Sequence, residues 1–249
     1  MNNIKAIFFK QFASLIKVPA LIIQGILYLF IALVFVVFVG ADEPHECANC
    51  IPAYVCEVCA EEASNRFQLP VPSMSGIFTV IFVGLGLVSS SAALVYEDRS
   101  TRNLQFMGMA NVKPYQYLFG TLSSIIIVVS VLLIPFALVG SYFGINMLRF
   151  MALCMAGGLV AILFGIVIGL SKYPVLATPI SIILGLGPTI VNHNERLANI
   201  LRLTFIQQVN LGIAEIEADL TSNFLIIGAN GLVVLLIFIF MHRKNKFNV

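Results

Sequence analysis

Residues 19 to 40 read PALIIQGILYLFIALVFVVFVG, without one charged side chain among them. At a 1.5 Å rise per residue, a helix of that length crosses the roughly 30 Å hydrocarbon core of a bilayer. Further apolar runs lie at 73 to 95, 117 to 142, 149 to 170, 173 to 191 and 223 to 241. Of the 249 residues, 59% are hydrophobic and 10% charged, more apolar surface than a soluble core of this size can hide. The sequence therefore predicts an all-α integral membrane protein, a single transmembrane domain over 1–249 with six transmembrane helices. The first run is long for the apolar core of a signal peptide, and no small-x-small cleavage site follows it, so it reads as a retained span.

Orientation follows from Lys and Arg, because cationic loops next to spans resist translocation. With the N-terminus inside, Lys5, Lys10, Lys17, Arg99, Arg102, Lys113, Lys172, Arg243, Lys244 and Lys246 fall on the cytoplasmic side. Only Arg66, Arg149, Arg196 and Arg202 fall outside. Most carboxylates run the other way, with Glu97 and Asp98 inside and Asp42, Glu43, Glu46, Glu57, Glu61, Glu62, Glu195, Glu215, Glu217 and Asp219 outside. Both termini are thus expected in the cytoplasm of a multi-pass protein of the cell membrane. The net charge of +2 hides a basic inner face and an acidic outer one, and no basic block interleaved with aromatics points to nucleic acid.

Three connecting segments are amphipathic. Residues 1–18 place Ile4, Ile7, Phe8, Phe12, Leu15 and Ile16 at helical spacing, with Lys5, Lys10 and Lys17 in the polar remainder. This predicts an interfacial helix with its apolar face in lipid before Pro19 turns the chain; an inward extension of the first span is the alternative. The 97–114 stretch begins with charge and then mixes Leu104, Phe106, Met107 and Met109 with polar residues, too apolar for a solvated loop. A short helix on the inner face accounts for it, and its apolar residues need lipid or a protein partner. The 192–222 stretch is half polar and half apolar, predicting one or two amphipathic or re-entrant helices in the outer leaflet.

No phosphate-binding glycine loop or His-Glu-x-x-His pair is present, and the interiors of the predicted spans contain no Asp, Glu, Lys or Arg. ATP, if used, must bind another chain. Ion-coupled carriers keep ionisable groups at depth, so that class is disfavoured. Gly140 with Gly144, and Gly165 with Gly169, form small-xxx-small pairs that allow close helix approach within a bundle or between subunits. Pro135, Pro174, Pro179 and Pro188 are positioned to kink or end helices.

Cys47, Cys50, Cys56 and Cys59 form two C-x-x-C pairs in the first outer loop, 41–72. On an oxidising face two disulfides are the first reading. A tetrathiolate zinc site is the second, with a short spacing between knuckles, and a redox-active pair is the third. Cys154, within a span, reads as a packing residue.

The order of parts, namely an interfacial helix, two spans, an amphipathic cytoplasmic helix, three spans, an outer half-buried segment and a last span, resembles the permease subunit of type-2 ABC transporters. The most specific stretch is Tyr96-Glu97-Asp98-Arg99-Ser100-Thr101-Arg102-Asn103-Leu104-Gln105-Phe106-Met107-Gly108-Met109-Ala110-Asn111-Val112-Lys113-Pro114, followed by Tyr117-Leu118-Phe119-Gly120. It is similar to the family's coupling helix and its re-entry into the third span. Thr121 departs from the lysine that many members carry there. The resemblance implies that Leu104, Phe106 and Met107 seat against a nucleotide-binding ATPase subunit, with Glu97, Asp98, Arg99 and Arg102 making polar contacts; headgroup contact is the alternative. The 192–222 segment is similar to the family's re-entrant outer helices.

The function so implied is ATP-driven export of an amphiphilic substrate (hydrophobic peptide, bacteriocin, lipid or drug). ATP and Mg would sit on the partner ATPase, and a second permease, the same chain or a paralogue, would complete the dimer within membrane lipid. No catalytic residue or cofactor is expected in this chain, apart from zinc on the metal reading of the cysteine loop. The rivals are a membrane thiol-disulfide oxidoreductase and a metal-sensing membrane protein, both built on the four cysteines.

Overall fold

The structure, a computed structural model, describes residues 2–17, 19–39, 71–109, 112–171, 173–190 and 201–245. Among these, all regular structure is helical. In chain order the α-helices are α1 (Asn2–Lys17), α2 (Ala20–Val39), α3 (Val71–Ile81), α4 (Val88–Ser100), α5 (Asn103–Met109), α6 (Pro114–Val139), α7 (Ile145–Leu170), α8 (Ala177–Ile190), α9 (Phe205–Ala214) and α10 (Thr221–Asn245). A π-helical turn, Phe82–Leu87, joins α3 to α4 in one rod, and a 3₁₀ turn, Pro174–Leu176, leads into α8.

Among the described residues five helices are long and apolar enough to cross a bilayer: Ala20–Phe38, Ser75–Ser100, Pro114–Val139, Ile145–Leu170 and Thr221–Met241. The protein is therefore membrane-embedded. The run predicted at 173 to 191 forms the 3₁₀ turn and the 14 residues of α8. At 1.5 Å per residue α8 is about 21 Å long, short of a bilayer on its own.

One end of the bundle, called basal here, carries α1, α5 and the start of α6. The distal end carries the turn between α6 and α7. Lipid removes the hydrophobic drive between helices, so their association depends on close packing. Gly165 and Gly169 supply it: a Cβ at Gly165 would lie 2.0 Å from Ser91 Oγ and 2.5 Å from the Val88 carbonyl oxygen, and one at Gly169 would lie 2.7 Å from the Ala92 carbonyl oxygen. The predicted pair thus brings α7 against α4 within the chain. Gly140 and Gly144 are not a helical pair; they sit in the α6–α7 turn, where Gly144 adopts φ +58°, a conformation that glycine enters without a Cβ clash.

The π turn has a comparable cause. It contains Gly84, whose Cβ would lie 2.8 Å from Gly185 Cα, so the rod and α8 meet backbone to backbone. The Ser89 and Ser91 hydroxyls donate to the Leu85 and Leu87 carbonyls at 2.6 Å each, supplying donors where the helical ladder changes register.

The amphipathic α1 does not turn its whole apolar side to lipid. Ile7, Gln11 and Leu15 are buried, and Gly120 at the start of α6 admits Ile7, whose Cγ2 would lie 2.7 Å from a Cβ at that position. Phe9 and Ile16 remain exposed on the opposite side of α1.

Gly165→Leu will drive a branched side chain into Ser91 and the α4 backbone, costing about 1–3 kcal/mol by overpacking. Gly228→Leu meets open space, nothing lying within 4 Å, and will change stability by less than about 0.5 kcal/mol. Heating in mild detergent followed by size-exclusion of the surviving monodisperse fraction separates the two; equal losses would mean that the α4–α7 contact is not the tight one.

Candidate functional site

The basal end is organised around Asp98, near the C-terminus of α4. The residue is buried (5% exposed), and its carboxylate accepts four hydrogen bonds from three other segments. Lys10 Nζ and Gln11 Nε2 of α1 donate at 2.5 Å to Oδ1 and Oδ2 respectively. Tyr117 Oη of α6 donates to Oδ2 at 3.0 Å, and Asn103 Nδ2, the first residue of α5, donates to Oδ1 at 3.3 Å. Each carboxylate oxygen thus takes two donors, the satisfaction that a buried charge needs. One side chain ties α1, α4, α5 and α6 together.

Its neighbour Arg99 points to α7, where Nη1 donates to the Ser171 carbonyl at 2.5 Å and the Leu170 carbonyl at 3.4 Å. A guanidinium there answers the orphan carbonyls and the negative end of the α7 dipole. Thr101 then caps α4 by donating from Oγ1 and N to the Glu97 carbonyl, and Arg102 takes φ +59°, which reverses the chain into α5. Pro114 opens α6 at its first turn, with Gln116 Oε1 accepting from Lys113 N at 3.0 Å.

The predicted partner-facing residues therefore divide. Phe106 (62% exposed) and Met109 (74%) face outward from α5, and Glu97 and Arg102 are also exposed. Leu104 was expected to face outward, but it is 4% exposed, and Met107 packs partly against the core. Helical spacing explains the division: Leu104 and Met107 share one face at i, i+3, and Phe106 and Met109 share the other. Asp98 and Arg99 are engaged inside the chain. Lys10, Gln11 and Tyr117 were not singled out from the sequence as site residues. The one legible sign was Gln11, a polar residue within the stripe Ile4, Ile7, Leu15.

A second polar cluster lies toward the distal end. There α9 packs against α3, α7 and α10, with its C-terminus distal. Gly212 admits Leu153, and Gly157 admits Val209, whose Cγ2 would lie 2.3 Å from an added Cβ. Arg149 Nη1 donates to the Ile216 and Glu217 carbonyls at 3.1 Å each, fixing the chain after α9. Asp219 Oδ1 accepts from Thr221 Oγ1 at 2.6 Å and Thr221 N at 3.0 Å, and these bonds hold its carboxyl below the usual range. A cleft of about 480 Å³ opens here beside Tyr142, Asn146, Ile213 and Glu217.

The turn before α9 is irregular backbone, and amide side chains satisfy it. Asn230 Nδ2 donates to the Leu203 carbonyl at 2.8 Å, Gln208 Nε2 donates to the Arg202 carbonyl, and Asn223 Nδ2 donates to the Gln208 carbonyl at 3.0 Å. Thr204 caps α9, its Oγ1 accepting from Gln207 N.

Cys47, Cys50, Cys56 and Cys59 lie outside the described residues. Among the described residues no cluster of His, Cys, Asp or Glu is arranged to hold a metal ion, and Cys154 is a buried thiol within α7.

Comparison with protein-family models, curated proteins and solved structures finds no match. The resemblance stated above rests on this chain's own residues.

Asp98→Ala will strand the donors of Lys10, Gln11 and Tyr117 and cost roughly 3–5 kcal/mol, the usual loss when one partner leaves a buried charged network. Lys10→Ala leaves the buried carboxylate without its half-exposed cation (41% against 7% for the Asp98 side chain) but with three neutral donors, and will cost less, about 1–3 kcal/mol. Thermal midpoints in detergent, with protease susceptibility of α1 as a second readout, test this ordering. A Lys10→Ala loss as large as that of Asp98→Ala would mean that the ion pair alone holds the node.

Proposed function

We propose that the chain is the permease half of an ATP-driven exporter of the type-2 ABC kind, taking its ATPase as a separate subunit. The observation that carries this reading is α5. It presents two large apolar side chains, Phe106 and Met109, at the basal surface, while its inner side is anchored by Leu104 and by the Asn103–Asp98 bond. An apolar pair exposed on a short, rigidly mounted helix is the form a docking contact takes. Glu97 and Arg102 flank it as polar contacts; Asp98, Arg99 and Leu104 hold it in place.

Force applied to α5 reaches α1, α4 and α6 through one carboxylate, and α7 through Arg99. That linkage suits a rigid-body rocking of the bundle when the ATPase pair closes. A second permease, this chain or a paralogue, completes the pathway, and the substrate is an amphiphile such as a hydrophobic peptide, bacteriocin, lipid or drug.

Six crossings fit this reading. The chain leaves α7 at the basal end and enters α10 at the distal end, so the segment containing α8 makes a net traverse and counts as the fifth span. The basal end is then cytoplasmic, in accord with Lys5, Lys10, Lys17, Arg99, Arg102 and Lys113, and the protein resides in the cell membrane with both termini inside.

Affinity purification in mild detergent, with mass spectrometry of the captured proteins, tests the proposal. A Walker-motif ATPase will accompany the wild type and fall at least tenfold with Phe106→Asp/Met109→Asp, a pair already exposed and therefore compatible with folding. Absence of any ATPase from the wild-type sample would overturn the exporter reading.

A further inference from the structure

The turn at residues 201–204 lies in the middle of the bundle, which follows from two independent measures. Asn230, bonded to the Leu203 carbonyl, is nine residues after Thr221 at the distal start of α10, about 14 Å along a helix. Its neighbour Gly231 packs on Val160, ten residues before the basal end of α7 at Leu170, about 15 Å. In a hydrocarbon core about 30 Å thick, both values place the turn near the midplane.

Arg202 stands in that turn, deeper than the outer side on which the Lys and Arg count places it. Its side chain is exposed. The one ion pair among the described residues is Lys10–Asp98, so no described carboxylate neutralises it. The nearest described carboxylate along the chain, Glu215, is at the far end of α9, about 16 Å away along the helix. The arginine stem is far shorter than the distance to either headgroup layer, so the charge cannot snorkel out.

An ionised group at this depth faces a water-filled space or a counter-charge rather than lipid. Two neighbours agree with that. Gln207 is buried (7% exposed), yet its Oε1 has no donor, a group that water or a ligand donor would answer. The N-terminus of α9, the positive end of its dipole, opens at the same level.

We propose that Arg202 faces a hydrated path at the middle of the membrane and receives the anionic group, carboxylate or phosphate, of an amphiphile whose apolar chain lies along the bundle. This deepens the exporter reading by giving the substrate a charge, and it rests on that reading only for the word substrate. In a medium of low dielectric one well-placed guanidinium discriminates strongly by sign, and its fork matches either oxyanion.

Two measurements test it. Arg202→Cys, made with Cys47, Cys50, Cys56 and Cys59 changed to Ser, will react with a membrane-impermeant methanethiosulfonate. Leu232→Cys, on the exposed side of α10 near the same depth, will not. Three photoactivatable probes with one sixteen-carbon chain, headed by carboxylate, phosphate or trimethylammonium, will then be crosslinked to the purified protein. Wild type will capture the anionic probes, Arg202→Gln will lose about tenfold, Arg202→Lys will keep most of the capture, and the cationic probe will be unaffected. Preference between the carboxylate and phosphate heads identifies the source of the anion.

An unreactive Arg202→Cys, or equal capture of all three heads, would overturn the proposal. So would a fall in thermal midpoint with Arg202→Gln that Glu195→Gln restores, which would make Arg202 half of an internal ion pair. None of these readouts requires ATP. Arg202-dependent capture without a co-purified ATPase leaves the anion site standing and removes the exporter; ATPase capture with labelling indifferent to Arg202 does the reverse.

Discussion

A backbone N–H or C=O without a partner in hydrocarbon costs several kcal/mol, and water is not there to supply one. Every part of this fold is shaped by that requirement. Long stretches meet it as uninterrupted helix. Where the ladder is disturbed, a nearby side chain completes it: Ser89 and Ser91 beside the π turn, Thr101 at the end of α4, Arg99 at the end of α7, and Asn230 and Gln208 at the turn before α9. The polar residues of the apolar spans are therefore spent mainly on backbone, which leaves few to be explained by anything else.

Packing follows a second constraint. Lipid competes with side chains for apolar contact on equal terms, so helices hold together where their backbones come close. Gly165 and Gly169 join α7 to α4, Gly84 and Gly185 join the central rod to α8, and Gly157 and Gly212 seat α9 beside α7. The contacts at α7 form a continuous line from the distal helix α9 through α7 to α4, and Asp98 at the end of α4 continues it to α1, α5 and α6. Basal and distal ends are thus mechanically connected through few joints.

Much of this was legible in the amino-acid sequence. The helical class and the long spans follow from apolar runs and the scarcity of charge. The amphipathic helix α1, the short helix after α4 and the helical segment before α10 follow from mixed composition at helical spacing. The pairing of Gly165 with Gly169 was visible as a motif, though not whether it served the chain itself or a second subunit. The division of α5 into an inner and an outer face was not read, because seven residues offer too few turns to say which stripe faces the protein. Gly140 and Gly144 have the spacing of a packing pair but no helix between them, a reminder that spacing alone does not supply the backbone it assumes.

The sequence by itself determined the solvent of this protein, since apolar content and its run length depend on nothing beyond composition and the thickness of a bilayer. The positions of Lys and Arg also predict an asymmetry of charge between the two ends. Only the tertiary structure decided what the isolated charges do. Read along the chain, Asp98 is one of a run of polar residues and Arg202 a cation in an amphipathic segment. One is buried under four donors from three other segments and the other is carried to the middle of the bundle, because burial and depth are properties of neighbours brought together from far along the chain, and no local pattern records them.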